Sequence, residues 1–184
     1  MKIVAVFGSS TTTPSTDEWD QAVWLGSAIA AHGWAVATGG YGGTMEAVSA
    51  GAASEGGRVY GVTAPDVFPT RAGANPHVTD EIPETSITGR IARLVDMSDA
   101  AIALPGSIGT LAELMVAWNV AFLAPVSARP PYPVVTVGPV WHQVVTDLSD
   151  RLISGRGFVV ATDTVAEAWT HLSTVMPGID RPAE

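Results

Sequence analysis

"AAIALPGSIGTLAE", residues 100–113, decides the reading of this chain. An apolar run of strand character, "AAIAL", stops at Pro105. Two glycines, a serine and a threonine follow, and a helical pattern takes over, expected at 110–123 with Glu113 on its first turn. Strand, tight small-residue loop and helix form the repeating unit of an α/β fold. Such a loop lets a backbone approach a ligand closely. The helix behind it offers unpaired N–H groups and the positive end of its dipole to an anion. A carboxylate at the mouth of an anion site needs a reason.

The same unit recurs outward from this point. "KIVAVFG" (2–8) is a continuous apolar strand followed by "GSSTTTPST". "WAVATGG" (34–40) runs into "GGYGGT" and a helix from Thr44 to about Ser54. Further strands are expected at 58–64, 99–104, 133–137 and 158–162. Further helices are expected at 17–33, 87–97, 140–153 and 164–175. The stretch "PDVFPTRAGANPHVTDEIPET" reads mostly as loop, with a short strand near 77–82. The alternation predicts a single doubly wound, Rossmann-like parallel sheet with helices on both faces. One domain is expected over 1–176, with a short tail over 177–184. A strand order 3-2-1-4-5 makes 2–8 and 99–104 the pair where the order reverses. Ligands bind beyond the strand ends at that point, so three small-residue loops converge on one crevice.

Composition narrows the chemistry. The chain has 184 residues and a net charge of −9, which excludes a basic nucleic-acid face. It has no cysteine, hence no disulfide, thiolate nucleophile or Cys-type metal site. Lys2 is the only lysine. A Walker A loop and a pyridoxal-phosphate Schiff base are therefore disfavoured. The four histidines have no ligand spacing, so no metal site is expected. No regular G-x-G-x-x-G follows the first strand, which disfavours NAD. The start, "MKIVAVFGSS", is too short an apolar run for a signal peptide, and no run approaches transmembrane length. A soluble cytoplasmic protein without membrane or nucleic-acid partners is expected.

Spacing leaves several carboxylates with two readings. Thr110-x-x-Glu113 is a capping box, or Glu113 is a catalytic acid. Glu46 is a first-turn acid favoured by the helix dipole, or a pocket carboxylate. Ser15/Glu18 and Thr164/Glu167 read as plain caps. Arg90 and Arg93 lie one turn apart on one helix face, either solvated or paired ahead of the loop at 105–110. The tryptophans are expected to face a core or an oligomer contact. Met115, Trp118 and Phe122, on a helix apolar almost all round, suggest a two-fold dimer.

"ALPGSIGTLAEL" (103–114) resembles the P-G-G-x-G-T-x-x-E signature of the Lonely Guy (LOG) family, proteins long mislabelled lysine decarboxylases. "TGGYGGTMEAVSAGA" (38–52) resembles that family's second glycine motif, in the form found in the related molybdenum-cofactor carrier-like branch, and "FGSS" also fits. The resemblance spans about residues 2–137. It implies a Rossmann-like, usually dimeric protein that needs no cofactor. It also implies a phosphoribohydrolase, cleaving the N-glycosidic bond of AMP or a cytokinin riboside 5′-monophosphate to free base and ribose 5-phosphate. The carrier-like branch implies instead a non-catalytic nucleotide- or cofactor-binding protein. By the same resemblance Glu113 and Arg90 are catalytic. Gly8, Ser9, Gly39, Gly40, Gly43, Thr44, Glu46, Pro105, Gly106, Ser107, Gly109 and Thr110 form the substrate and phosphate site. Three positions depart from the family pattern. Ser107 replaces the second motif glycine, Ala112 replaces an acid, and "SITGR" (86–90) keeps only the arginine of the M-H-E-R-K segment.

Overall fold

The computed structural model describes residues 1–71, 73–152 and 157–176. The tail expected over 177–184 lies outside them. Seven strands form one parallel sheet in the order β4-β3-β2-β1-β5-β6-β7. They are β1 (Ile3–Phe7), β2 (Ala35–Thr38), β3 (Val59–Thr63), β4 (Asp80–Pro83), β5 (Ala100–Ala103), β6 (Val134–Val137) and β7 (Val159–Thr162). The expected order holds, with β1 and β5 the central pair, and β4 and β7 complete the two edges.

Six helices cover the sheet: α1 (Asp17–Ala31), α2 (Thr44–Ser54), α3 (Ile87–Met97), α4 (Ile108–Leu123), α5 (Pro139–Arg151) and α6 (Val165–Val175). The period-two alternation of β1 shows why two layers form. Val4 and Val6 point into a core with Leu25 and Ile29 of α1, Val48 of α2 and Leu172 of α6. Ala5 and Phe7 point into the opposite core with Leu94 of α3, Leu114 of α4 and Trp141 of α5. Small residues on β5 (AAIA) let α4 lie close against the centre of the sheet.

Several local expectations are corrected. The α1 cap is Thr16, whose Oγ1 accepts from the Trp19 N–H at 3.2 Å; Ser15 takes a positive φ of 69° in the turn before it. The strand expected near 77–82 is Asp80–Pro83. Helix α4 starts two residues earlier than its pattern suggests, because Ser107 is already extended and Ile108 is helical. Glu113 is therefore the sixth helical residue, on the second turn, and belongs to no capping box. The Thr164/Glu167 box does form. Trp141 is buried as expected, whereas Trp24 is exposed.

Helix α4 with the 3-10 turn behind it, Ile108–Val126, is long and apolar enough to cross a membrane by length and composition, contrary to the reading that no run approaches that length. In the fold it covers β1, β5 and β6. One face of it stays outside: Ile108, Val116, Leu123 and, beyond it, Val126 are exposed. Of the residues expected to be surplus to the core, Trp118 is instead buried, and Met115 and Phe122 are half-buried.

Candidate active site

The three loops meet where β1 and β5 end. The Ser9 N–H donates to Pro105 O (3.1 Å) and the Thr44 N–H donates to Ser9 O (2.8 Å). Hydroxyls of Thr12 and Thr44 pair at 2.9 Å. Backbone hydrogen bonds thus stitch the loop after β1 to both of the others. The glycine at 43 is required here: φ is +73°, and a Cβ would run into the Ser9 carbonyl.

Two cavities open around this junction. The first, about 520 Å³, is lined by Ser9, Thr44, Pro105, Gly106 and Ser107, with hydroxyls of Thr11 to Thr13. The second, about 230 Å³, is lined by Gly8, Gly39, Gly109, Thr110, Glu113 and Arg90. Ser107 borders both. The first hydrogen bond of α4 runs from the Leu111 N–H to Ser107 O (3.0 Å), so the amides before it have no partner within the helix. Ser107 makes no side-chain cap. The helix start is thus an open set of donors, as an anion site requires.

Arg90 organises the second cavity. It projects from the first turn of α3 and is 8% exposed. Its Nε donates to Val62 O (2.8 Å), Nη2 donates to Gly39 O (3.1 Å), and Nη1 donates to Glu113 Oε1 (3.3 Å). One guanidinium thereby ties the end of β3, the loop after β2 and helix α4 together. Gly39 has to be glycine, since a Cβ would occupy the place of Arg90 Nη2. Arg93 does not share this role. The one-face expectation fails because Arg93 turns outward and pairs with Glu84 at 2.9 Å, half-exposed.

Glu113 is 7% exposed and uses one carboxylate oxygen on Arg90. The other makes no hydrogen bond among the described residues. Burial pushes its carboxyl up to about 7, and the Arg90 charge pulls back only part of that. Burial likewise lowers Arg90 from its ordinary value, against the pull of Glu113. The site therefore holds an acid that changes charge near neutral pH, beside a cation that fixes its orientation.

Of the remaining expected residues, Gly40 packs beneath its loop, its N–H bonded to Thr38 Oγ1 (3.1 Å), and lines neither cavity. Glu46 lines a third, neighbouring cleft. Lys2 is tied to Met176 O, at the far end of β1. Among the described residues no group of three or more His, Asp or Glu side chains could hold a metal ion. Three residues escaped the motif reading. Tyr41 and Met45 lie inside the second glycine motif but were not singled out; Met45 lines the Arg90 cavity. Arg71 comes from the irregular stretch after β3 and borders both that cavity and the third cleft. Its one signal in the sequence was scarcity, nine basic residues in 184.

The model of the SLOG cluster4 family matches residues 1–123. The chain belongs to the SLOG cluster4 family. The resemblance to Lonely Guy proteins drawn from the two glycine motifs is thus borne out. This SLOG cluster4 chain is 34% identical over 140 residues to the cytokinin riboside 5′-monophosphate phosphoribohydrolase of Mycobacterium tuberculosis, covering 76% of this chain and 72% of that one. It is 39% identical over 101 residues to the protein of that name from Mycobacterium marinum, covering 54% and 53%. In structure it is similar to the molybdenum cofactor carrier protein of Chlamydomonas reinhardtii. That match has a TM-score of 0.75 at 25% identity and covers 96% of this chain and 99% of the other.

The raised Glu113 pKa makes a stability prediction. Between about 4.5 and 7 the folded chain holds a proton on Glu113 that the unfolded chain has released. That contribution to stability is complete below about 4.5 and is lost as pH rises through 7. Glu113→Gln removes it. In urea melts, wild type should lose stability relative to Glu113→Gln from pH 4.5 to 7, by on the order of a few kcal/mol, and level off above. A difference that is flat or grows in favour of wild type across that window contradicts the assignment.

Proposed function

We propose that this protein is a phosphoribohydrolase acting on a nucleoside 5′-monophosphate. The observation that carries this reading is the buried Arg90–Glu113 pair beside the open start of α4. The phosphate rests against the loop at 105–110 and the helix amides. That fixed anion supplies binding energy which holds the ribose against Glu113. Breaking the N-glycosidic bond develops positive charge on C1′. A carboxylate next to it stabilises that charge or takes the proton of the attacking water. Water adds to C1′, the base leaves carrying a proton, and ribose 5-phosphate remains. Arg90 acts as the positioning residue that holds Glu113 in register. No redox or metal step enters this scheme, and the proposal places the protein in the cytoplasm, where nucleotides are available.

A second reading has its own support. The likeness to the Chlamydomonas carrier runs over nearly the whole chain, further than the phosphoribohydrolase match. Ser107 also puts a side chain at the loop where the family pattern has glycine. On this reading the same crevice holds a phosphorylated cofactor and releases it unchanged.

Incubation with AMP, CMP, GMP and a cytokinin riboside monophosphate, scored for free base, separates the two. Wild type should release base from at least one nucleotide, and Glu113→Gln should lose about a hundredfold or more in turnover while still binding it. Turnover unchanged in Glu113→Gln removes Glu113 from the chemistry. Binding without turnover in wild type favours the carrier reading.

We also infer a two-fold dimer through α4. Its uncovered stripe carries Ile108, Val116 and Leu123 and continues to Val126. Light scattering at micromolar concentration should give twice the 19.0 kDa chain mass, and Val116→Glu should halve it. A single-chain mass for wild type contradicts the inference.

A further inference from the structure

The first cavity, about 520 Å³, is large enough by itself for a small molecule. A nucleoside monophosphate does not need it. The Glu113 cavity and the third cleft, about 230 and 380 Å³, share Ser10 and Arg71 and give a nucleoside room. The first cavity lies on the other side of Ser107, which stands on the wall of both it and the Glu113 cavity. A phosphate held at Ser107 therefore has space on two sides, one toward Glu113 and one away from it.

Charge decides what the far side accepts. Three helix starts meet at this cavity, and two of them are closed. At α1, Thr16 Oγ1 accepts from the Trp19 N–H (3.2 Å), and Asp17, Glu18 and Asp20 fill the first turn. At α6, whose first residue Val165 lines the cavity, Thr164 Oγ1 accepts from the Glu167 N–H (3.2 Å). The Glu167 carboxylate accepts in turn from the N–H groups of Asp163 (3.1 Å) and Thr164 (3.2 Å). The start of α4 alone of the three has no side-chain cap. Thr110 is a second, independent sign of a ligand there. It is 2% exposed, and its hydroxyl makes no hydrogen bond with any described residue. That hydroxyl lies against the loop, since a Cβ on Gly106 would collide with Thr110 Oγ1. Among the described residues no lysine or arginine lines the first cavity. One anion is thus served at α4, and a second would face Glu18 with no cation beside it.

The groups left over are neutral apart from that carboxylate. Hydroxyls of Ser9 and Thr11 pair with each other (2.8 Å), as do those of Thr12 and Thr44 (2.9 Å). The side chains of Thr13, Glu18 and Gln21 line the cavity and make no hydrogen bond or ion pair with any described residue. Leu104 and Val165, both buried, form an apolar floor. A carboxylate accepts from two neighbouring hydroxyls, and an amide both donates and accepts. The apolar floor suits a C–H face. Their common complement is an uncharged polyol, a sugar or a glycerol unit.

We propose that the first cavity is a subsite for an uncharged, hydroxyl-bearing group esterified to the bound phosphate, so that the crevice accepts nucleoside 5′-phosphodiesters as well as monophosphates. This rests on the nucleotide-binding reading above and goes beyond the monophosphate named for the mycobacterial relatives. The second ester leaves the phosphate on the side away from Glu113, so the sugar keeps its place beside the carboxylate.

The test is calorimetric binding of AMP and of its methyl, glyceryl and ribos-5-yl phosphate esters. The proteins are wild type, Glu18→Ala and the double variant Glu18→Ala/Gln21→Ala, each variant first checked by thermal melting. The glyceryl or the ribosyl ester should bind wild type about tenfold or more tightly than the methyl ester, the gain expected of hydrogen bonds to a charged group. Glu18→Ala should lower that gain, and the double variant should bring it to within about twofold, with AMP and methyl ester affinities unchanged. A tighter glyceryl ester assigns a glycerol arm, and a tighter ribosyl ester assigns a sugar; both sustain the subsite. A methyl ester that binds as tightly as the other two, or a preference that survives the double substitution, overturns it. The two readings fail separately. Hydrolysis of AMP with all three esters excluded keeps the hydrolase and defeats the subsite. Selective binding of a polyol ester with no base release does the opposite, and absence of binding by AMP and every ester defeats both.

Discussion

The buried guanidinium of Arg90 is the constraint on which the site depends. Three backbone or side-chain oxygens from three separate elements accept its protons: Val62 O at the end of β3, Gly39 O after β2 and Glu113 Oε1 on α4. A buried charge left without such partners costs several kcal/mol. The parallel sheet brings these oxygens to one edge, and the arginine then holds the loops and α4 in one arrangement. Gly39 shows how tight that arrangement is, because nothing larger fits beside Nη2. Removing either partner of the pair leaves the other charge buried and uncompensated, so neither residue is a passive part of the wall.

The same burial sets the chemistry. Glu113 sits where water is scarce, which favours its protonated form, and beside a cation, which favours its ionised form. Burial is the larger effect and leaves the carboxyl near neutral pH. An acid poised there accepts or donates a proton at little cost. Gly109 and Thr110 of the open α4 start line the same cavity as Glu113, and the hydroxyls of the loop after β1 lie on the other side of Ser107. One short segment thus presents an open helix start and a buried carboxylate side by side, the arrangement on which the proposed phosphoribohydrolase reading rests. That juxtaposition answers why a carboxylate stands at the mouth of an anion loop.

Much of this was legible in the sequence, and the misses share a cause. The continuous apolar runs and the small-residue loops behind them gave the parallel sheet, its central strand pair and the convergence of three loops, because those follow from local periodicity and chain alternation. The Thr164/Glu167 cap was readable for the same reason. Glu113 was placed on the wrong turn because the start of α4 is set by the backbone of Ser107, which pattern does not encode. Arg90 and Arg93 look alike in sequence, yet one turns inward to Gly39 and Glu113 and the other outward to Glu84. Only contacts between residues distant in the chain separate them. Arg71 lies in a stretch with no periodicity and was invisible until the fold brought it to the Tyr41 and Phe68 rings. The exposed stripe of α4 was hidden because apolar residues surround that helix on nearly every side.

The most direct measurement of this account is the titration of the Glu113 carboxyl in the free protein. Carbon-13 NMR of labelled glutamate side chains, with the Glu113 signal assigned by its loss in Glu113→Gln, follows that group alone. The account predicts a midpoint at about 7. A midpoint near 4.5 in the wild-type protein, the value of an ordinary solvated glutamate, would contradict the buried pair as the heart of the site.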